Sequence, residues 1–308
     1  MKNITLAAID IGSHNCRLTI VRRIKNKKKI LNTYSYGTNL IKNLSYNNEF
    51  TLKNINKTVM CLKFFSKKLR EYKVGNYRCV ATEACRQVIN PELFIETVKM
   101  TTGLNVEVIS SYEEAMLSIK SCPNYIKKIN NKGIIFDIGG GSTEFTFFDF
   151  NRKRFETRSI SYGVINLSEK EDVYGNDLVE KELRDHFLSF NDKLFKTNKE
   201  KFVLIGSCST ATTICAIFLN LKFFDIKKVE GFKINKVQIQ KTVNFIDNLS
   251  DKAMKNHPCI GKHYKLLSNG VRILKHILDI MPVCEMIASQ KGLRDGIVTE
   301  LLSNDQKN

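Results

Sequence analysis

The most constraining feature of this chain is a repeat. Residues 4–37 read ITLAAIDIGSHNCRLTIVRRIKNKKKILNTYSYG, and residues 134–163 read IIFDIGGGSTEFTFFDFNRKRFETRSISYG. Each copy opens with an apolar run ending in Asp-Ile-Gly, at Asp10 to Gly12 and again at Asp137 to Gly139. A small polar loop follows, then an alternating stretch (Leu18, Ile20; Phe145, Phe147). A basic turn comes next (Asn26 to Lys29; Asn151 to Lys153), then more alternation and a closing Tyr-Gly (Tyr36-Gly37; Tyr162-Gly163). Alternation with period two, broken by polar turns, predicts hairpin strands. A unit of this kind present twice predicts two halves of one design.

Helical patterns follow each copy. Over residues 56–72, Val59, Leu62, Phe65 and Leu69 recur at helical spacing, which predicts an amphipathic helix. Tyr77 to Val80 and Val106 to Ile109 read as short strands, Thr82 to Gln87 and Ser111 to Lys120 as helices. In the second half, Phe202 to Ile205 is an apolar strand before a Ser/Thr-rich loop and a helix through Ile214 to Phe218. Residues 262–280 form a long helix. At 308 residues the chain exceeds the usual single-core size, so two domains are expected. Cys122-Pro123 and the polar stretch to Lys132 mark the boundary, giving domains 1–124 and 125–308, with the last helix (about 293–304) crossing back onto the first. The expected fold is α/β: two duplicated domains facing a cleft between them, the default place for a ligand.

Composition narrows the setting. Charged residues make up 26% and hydrophobic residues 43%, ordinary for a globular protein. No apolar run approaches the ~20 residues of a membrane-spanning helix, and Asp10 interrupts the N-terminal apolar stretch, unlike a signal peptide. Nine cysteines without a C-x-x-C pair and only five histidines point to a reducing, cytoplasmic setting and away from zinc. The net charge of +18 permits a polyanionic partner, although lysines spread as in Lys27 to Lys29 and Lys67-Lys68 read equally as compositional bias. Basic residues are not interleaved with aromatics, which argues against nucleic acid.

The sharpest chemical signal is Asp137-Ile-Gly-Gly-Gly-Ser-Thr-Glu144. Consecutive glycines at Gly139, Gly140 and Gly141 let several N–H groups face one spot, a nest for anionic oxygens, and Ser142 and Thr143 add hydroxyls. Flanking carboxylates would repel a bare phosphate, so Asp137 and Glu144 imply a bridging cation. Mg²⁺ suits one or two carboxylates plus waters and phosphate oxygens. A plain hairpin turn would also carry glycines, but the second such loop, Asp10 to Asn15, favours a pair of loops clamping one phosphate chain. A P-loop and a helix-opening G-x-G-x-x-G are both missing.

Two further signals are weaker alone. In Val-Ile-Ser-Ser-Tyr-Glu-Glu-Ala (108–115), Ser110 with Glu113, or Ser111 with Glu114, forms a capping box. One Glu then caps while its neighbour, rotated by ~100° on the helix, is left to accept a proton from an attacking water. Arg86, after Cys79 to Cys85, offers a fixed fork of donors for phosphate oxygens, where a lone Arg is otherwise a surface ion-pair residue.

These residues together resemble the exopolyphosphatase and guanosine pentaphosphate phosphohydrolase family (Ppx/GppA), of the actin-like ATPase superfamily, in its short two-domain form. The resemblance runs through AAIDIGSHNCRLTI, VATEACRQ, EVISSYEEA, FDIGGGSTEF, LIGSCSTATTICA, HPCIGKH and QKGLRDGIVTELL. It implies two ribonuclease-H-like (actin-like ATPase) domains and a Mg²⁺-dependent hydrolase of polyphosphate or guanosine pentaphosphate, the latter tied to the stringent response. It implies phosphate loops at Gly12, Ser13, His14, Asn15 and at Gly139 to Thr143, with Arg86 on the phosphate chain. Glu114 would be the base that activates water, Glu144 would position that water or the metal, and Asp10 and Asp137 would join Glu144 around the metal. Gly206, Ser207 and Thr210 would form a third loop, which contacts nucleotide in the superfamily. A homodimer also fits the family.

Three departures stand out. His14 and Asn15 replace Asn-Ser, and Asn15 keeps a donor. The third loop holds Cys208-Ser209-Thr210 where glycine is usual, which puts base or ribose contacts in doubt and tilts toward polyphosphate. Arg294-Asp295-Gly296 replaces Arg-Glu-Gly. The competing readings are an actin-like kinase or ATPase, and a non-catalytic polyphosphate or guanosine pentaphosphate sensor. Retention of Glu114, Glu144 and Asp137 favours the hydrolase, because a sensor needs no water-activating base.

Overall fold

A computed structural model describes residues 4–24, 27–42, 48–89, 91–195 and 200–304. They fall into two compact units. One runs up to Ser121 and includes the residues from Leu293 on; the other is Cys122–Gly292.

The first unit holds β1 (Ile4–Ile11), β2 (Asn15–Ile24), β3 (Lys27–Gly37), α1 (Leu52–Glu71), β4 (Asn76–Ala81), α2 (Glu83–Gln87), α3 (Pro91–Thr102), β5 (Val106–Val108) and α4 (Ser111–Ser121). The second holds α5 (Pro123–Lys128), β6 (Lys132–Ile138), β7 (Thr143–Asp149), β8 (Arg154–Ile160), α6 (Asn166–Tyr174), α7 (Asn176–Phe195), β9 (Phe202–Gly206), α8 (Ser209–Phe218), α9 (Ile226–Val229), β10 (Lys233–Asn235), α10 (Lys236–Asp247), α11 (Asp251–Asn256), α12 (Tyr264–Ile280) and β11 (Val283–Ala288). The last helix, α13 (Leu293–Asn304), belongs to the first unit.

The two sheets share a plan. In the first the order is β3-β2-β1-β4-β5, with β1 to β3 antiparallel and β4 and β5 added parallel. In the second, β8-β7-β6-β9-β11 repeats that order and those directions, and β10 adds an antiparallel edge. This is the ribonuclease-H-like arrangement, present twice. One expectation is corrected. Lys27 to Lys29 form no turn but open β3, paired with Ile24, Arg23 and Arg22, while Asn26 lies outside the described residues. A lysine-rich edge strand is a common guard against unwanted pairing.

Burial explains why the strands hold. Along β1 the side chains alternate between two apolar layers. Ala7, Ile9 and Ile11 pack with Leu62 and Phe65 of α1 and Phe94 of α3. Leu6 and Ala8 pack with Leu117 of α4 and Ile297 and Val298 of α13. A central strand covered on both faces is therefore almost wholly apolar, and each large side chain so buried contributes roughly 1.5–3 kcal/mol. Helix α1 starts earlier than the apolar spacing alone predicts, because Thr51 Oγ1 accepts the Asn54 N–H at 3.2 Å and caps it. Asp10 and Asp137 stand near the carboxyl ends of β1 and β6, where the glycine loops leave each sheet. Ligands of open α/β sheets bind at such edges.

Candidate active site

Each glycine loop is closed at its base by one bond. Gly12 N–H donates to the Asn15 carbonyl at 3.0 Å, and Gly139 N–H to the Ser142 carbonyl at 2.9 Å. The loop carbonyls are then tied back by the segment after each Tyr-Gly. In the first unit the His14 carbonyl accepts from Thr38 and Asn39 N–H (2.8 and 2.9 Å) and the Ser13 carbonyl from Ile41 N–H (3.3 Å). In the second, the Gly139 carbonyl accepts from Val164 N–H (2.9 Å) and the Gly140 carbonyl from Ile165 N–H (2.8 Å). The Gly141 carbonyl accepts from the Asn166 side chain at 2.8 Å. In a trans peptide the C=O and the following N–H point opposite ways. Tying the carbonyls of 139–141 to one side therefore turns the N–H groups of Gly140, Gly141 and Ser142 to the other. Among the described residues no backbone carbonyl accepts from those three. Amides turned one way in this manner can seat an anion.

Gly163 makes this seat possible. A Cβ there would lie 2.5 Å from the Gly140 carbonyl carbon and 2.6 Å from the Gly139 and Gly140 oxygens. Sequence reading marked the Tyr-Gly as the end of the repeat and missed its purpose. It also missed Asn166. The nearly equal distance between Asp-Ile-Gly and Tyr-Gly in the two copies was the available signal.

The two loops differ in charge. Across the strands Asp137 is the register partner of Glu144, whereas Asp10 is the partner of Arg17. Register partners lie on one face with Cβ atoms about 5 Å apart. Burial raises the Asp10 carboxyl above its ordinary value of 3.8, opposed by the guanidinium groups of Arg17 and Arg294. Arg294, on α13, donates to Thr19 Oγ1 at 3.0 Å. Glu144 is buried and accepts from Ser159 Oγ at 2.8 Å. Among the described residues no group of three or more His, Cys, Asp and Glu is placed to hold a metal. The paired Asp137 and Glu144 carboxylates nevertheless fit Mg²⁺, which keeps several waters and takes one or two carboxylates plus phosphate oxygens.

Arg86 and Glu114 meet within the first unit. Arg86 Nη1 donates to Glu114 Oε2 at 3.0 Å and to the Ile109 carbonyl at 2.8 Å. Its Nε and Nη2 hold Glu83 Oε2 at 3.1 and 2.8 Å. Burial lowers the Arg86 pKa and the two carboxylates more than restore it, so the guanidinium stays charged. The neighbouring Glu113 goes elsewhere: its Oε1 takes Arg78 Nη2 at 2.7 Å, while its N–H donates to Ser110 Oγ at 3.1 Å. Ser110 is thus the helix cap, without the reciprocal carboxylate of a full capping box. Adjacent glutamates on α4 have separate partners, and Glu114 is the one beside Arg86.

The third loop is used mostly inside its own unit. Ser207 Oγ donates to the Lys291 carbonyl at 2.5 Å. Thr210 is buried against Gly270 of α12, where any added Cβ would overlap its hydroxyl. Gly206 fits under Ala211 and Phe136, a Cβ at that position falling 2.9 Å from Phe136 Cζ. Burial pushes the Cys208 thiol up to about 12, with the Asp137 charge adding to it. In the second glycine loop Thr143 is also committed, its hydroxyl donating to the Tyr162 carbonyl at 2.7 Å.

Known proteins share this design. The model of the Ppx/GppA phosphatase family matches residues 19–305. The bifunctional 3-dehydroquinate synthase/phosphatase of Fusobacterium nucleatum is 27% identical over 98% of this chain and 47% of its own length. The guanosine-5'-triphosphate,3'-diphosphate pyrophosphatase of Vibrio parahaemolyticus is 22% identical over 98% of this chain and 60% of its own. The chain therefore spans about half the length of these curated relatives. The crystal structure of the Aquifex aeolicus Ppx/GppA family member superposes with a TM-score of 0.79 at 26% identity, covering 99% of each chain. An exopolyphosphatase from Cytophaga hutchinsonii shares the fold, with a TM-score of 0.81 at 18% identity over 97% of this chain and 98% of that one.

Proposed function

We propose that this chain, which belongs to the Ppx/GppA phosphatase family, is a phosphoanhydride hydrolase that releases terminal phosphate from inorganic polyphosphate or guanosine pentaphosphate. The observation that carries the reading is Glu114 held 3.0 Å from Arg86 while Glu113 is committed to Arg78. A carboxylate kept beside a guanidinium able to bind phosphate oxygens supports a role in taking a proton from water as that water attacks phosphorus.

The reaction is in-line displacement. Charge spreads over the phosphoryl oxygens in the transition state, so positioning and neutralisation do most of the catalysis. The Gly140, Gly141 and Ser142 amides receive oxygens of the chain in the second unit. The first loop, with Arg17 opposite Asp10, takes phosphate oxygens directly. Arg86 neutralises the reacting phosphoryl group, and its contact with that group frees Glu114 to orient and deprotonate water. Asp137 and Glu144 would hold Mg²⁺, which when bound supplies positive charge to phosphate oxygens. The inward commitment of Ser207 and Thr210 supports an inorganic chain as the preferred substrate over a nucleotide.

The test is phosphate release with Mg²⁺ from tripolyphosphate, long polyphosphate and guanosine pentaphosphate, by wild type and Glu114→Gln. Loss of a general base lowers turnover by about 10²- to 10⁴-fold, with ligand binding retained. Unchanged turnover in the variant would remove Glu114 from the mechanism. No release by wild type alongside tight binding would establish a sensor instead.

A further inference from the structure

Asn166 lies outside every expected site, yet its side chain bonds to three parts of the second loop and of the segment that follows β8 and straps it (residues 161–166). Its Oδ1 accepts the Gly163 N–H at 2.7 Å, and its Nδ2 donates to the Gly141 carbonyl at 2.8 Å and the Ser161 carbonyl at 3.0 Å. The residue is buried, 4% exposed. Its own N–H also approaches the Gly140 carbonyl at 3.4 Å. The strap is fixed in turn from α12, where Asn269 Nδ2 donates to the Val164 carbonyl and to Ser168 Oγ, each at 2.9 Å.

We propose that Asn166 is the positioning residue of the phosphate nest: by holding the Gly141 carbonyl it fixes the one peptide plane that the strap backbone leaves unheld, and so aims the Ser142 N–H alongside those of Gly140 and Gly141. The backbone N–H groups of Val164 and Ile165 already hold the Gly139 and Gly140 carbonyls. The 141–142 plane is flanked by Gly141, whose backbone is conformationally permissive, so without the carboxamide that plane can swing. One side chain provides the acceptor for Gly163 and the donors for Gly141 and Ser161, whereas a serine or threonine hydroxyl has a single proton to donate. In the first unit the third residue after the Tyr-Gly is Leu40, buried and apolar, so the device belongs to the second loop. The inference rests on the reading that these amides receive a phosphate.

The test uses the full chain with ¹⁵N-labelled glycine and serine, titrated with imidodiphosphate, whose P–N–P bridge resists hydrolysis. In wild type the amide signals of Gly140, Gly141 and Ser142 shift together. Asn166→Asp keeps the acceptor for Gly163 but turns the donor into an oxygen facing the Gly141 carbonyl. It is expected to weaken imidodiphosphate binding by on the order of tenfold or more, as for a buried carbonyl left unsatisfied. The Ser142 signal then no longer follows the glycines, while the remaining spectrum stays dispersed. Asn166→Ala gives the same loss without added charge. The proposal is overturned if wild type shows no shift at these three amides, or if both variants bind and shift as wild type does. Should wild type release no phosphate from tripolyphosphate, long polyphosphate or guanosine pentaphosphate, the hydrolase reading fails, and the amide shifts still judge Asn166 independently.

Discussion

Replacing Gly163 by alanine probes the contact between strap and loop most directly. The added Cβ would stand 2.5 Å from the Gly140 carbonyl carbon and 2.6 Å from two loop oxygens, against 3.4 Å for an ordinary contact. All three atoms are backbone, so no side chain can rotate away. The loop or the strap must retreat by roughly 1 Å, and overpacking of this kind costs about 1–3 kcal/mol. For a unit of this size that lowers Tm by several degrees, at about 2–4 °C per kcal/mol. On the proposed function the effect on turnover is larger, because a 1 Å misplacement of groups that position the substrate costs about 10²-fold. Phosphate release and a thermal melt on the same preparation separate the two effects. Full turnover with an unchanged Tm would show that the strap does not set the loop, and the argument from tied carbonyls would fall with it.

The other predictions concern charge and packing. Glu144→Gln raises the magnesium concentration for half-maximal turnover more than Asp10→Asn does, because the acidic register pair is Asp137 with Glu144 and Asp10 faces Arg17; equal shifts in a magnesium titration would contradict this. Gly296→Ala places a Cβ into the Leu117 carbonyl and pushes α13 off α4, so stability should fall by about 3 kcal/mol or more, as for severe overpacking, and a thermal melt should show a lower Tm. Burial raises the Glu180 and Glu300 carboxyls, but Arg272 and His276 in one case, Lys120 and Arg78 in the other, outweigh it and hold both below the ordinary 4.5. Their contribution is thus complete above about pH 4.5 and is lost as pH falls through the depressed values. Melts from pH 7 downward should show this acid loss, and Arg272→Met should flatten part of it.

Sequence alone determined the repeated plan. Alternation in Leu18, Ile20, Phe145 and Phe147 and the two Asp-Ile-Gly turns are local signals, set by which side chains must leave water and where the backbone must bend. Arg86 and the Glu113-Glu114 pair were legible as candidates from their residue types, and the family resemblance singled out Glu114. Which of two adjacent glutamates faces Arg86 was not legible, since both Ser-x-x-Glu pairings satisfy the capping pattern; Arg78, reaching from β4 to Glu113, decided it. The lysines at 27–29 resemble a turn in sequence, and only pairing with β2 drew them into an edge strand. The purpose of Tyr-Gly, the inward turn of Ser207 and Thr210, and the bonds of Asn166 came from the tertiary structure. A hydrogen bond or a steric seat joins residues whose separation in sequence carries no periodic trace, so it exists only once the sheet has brought loop and strap together.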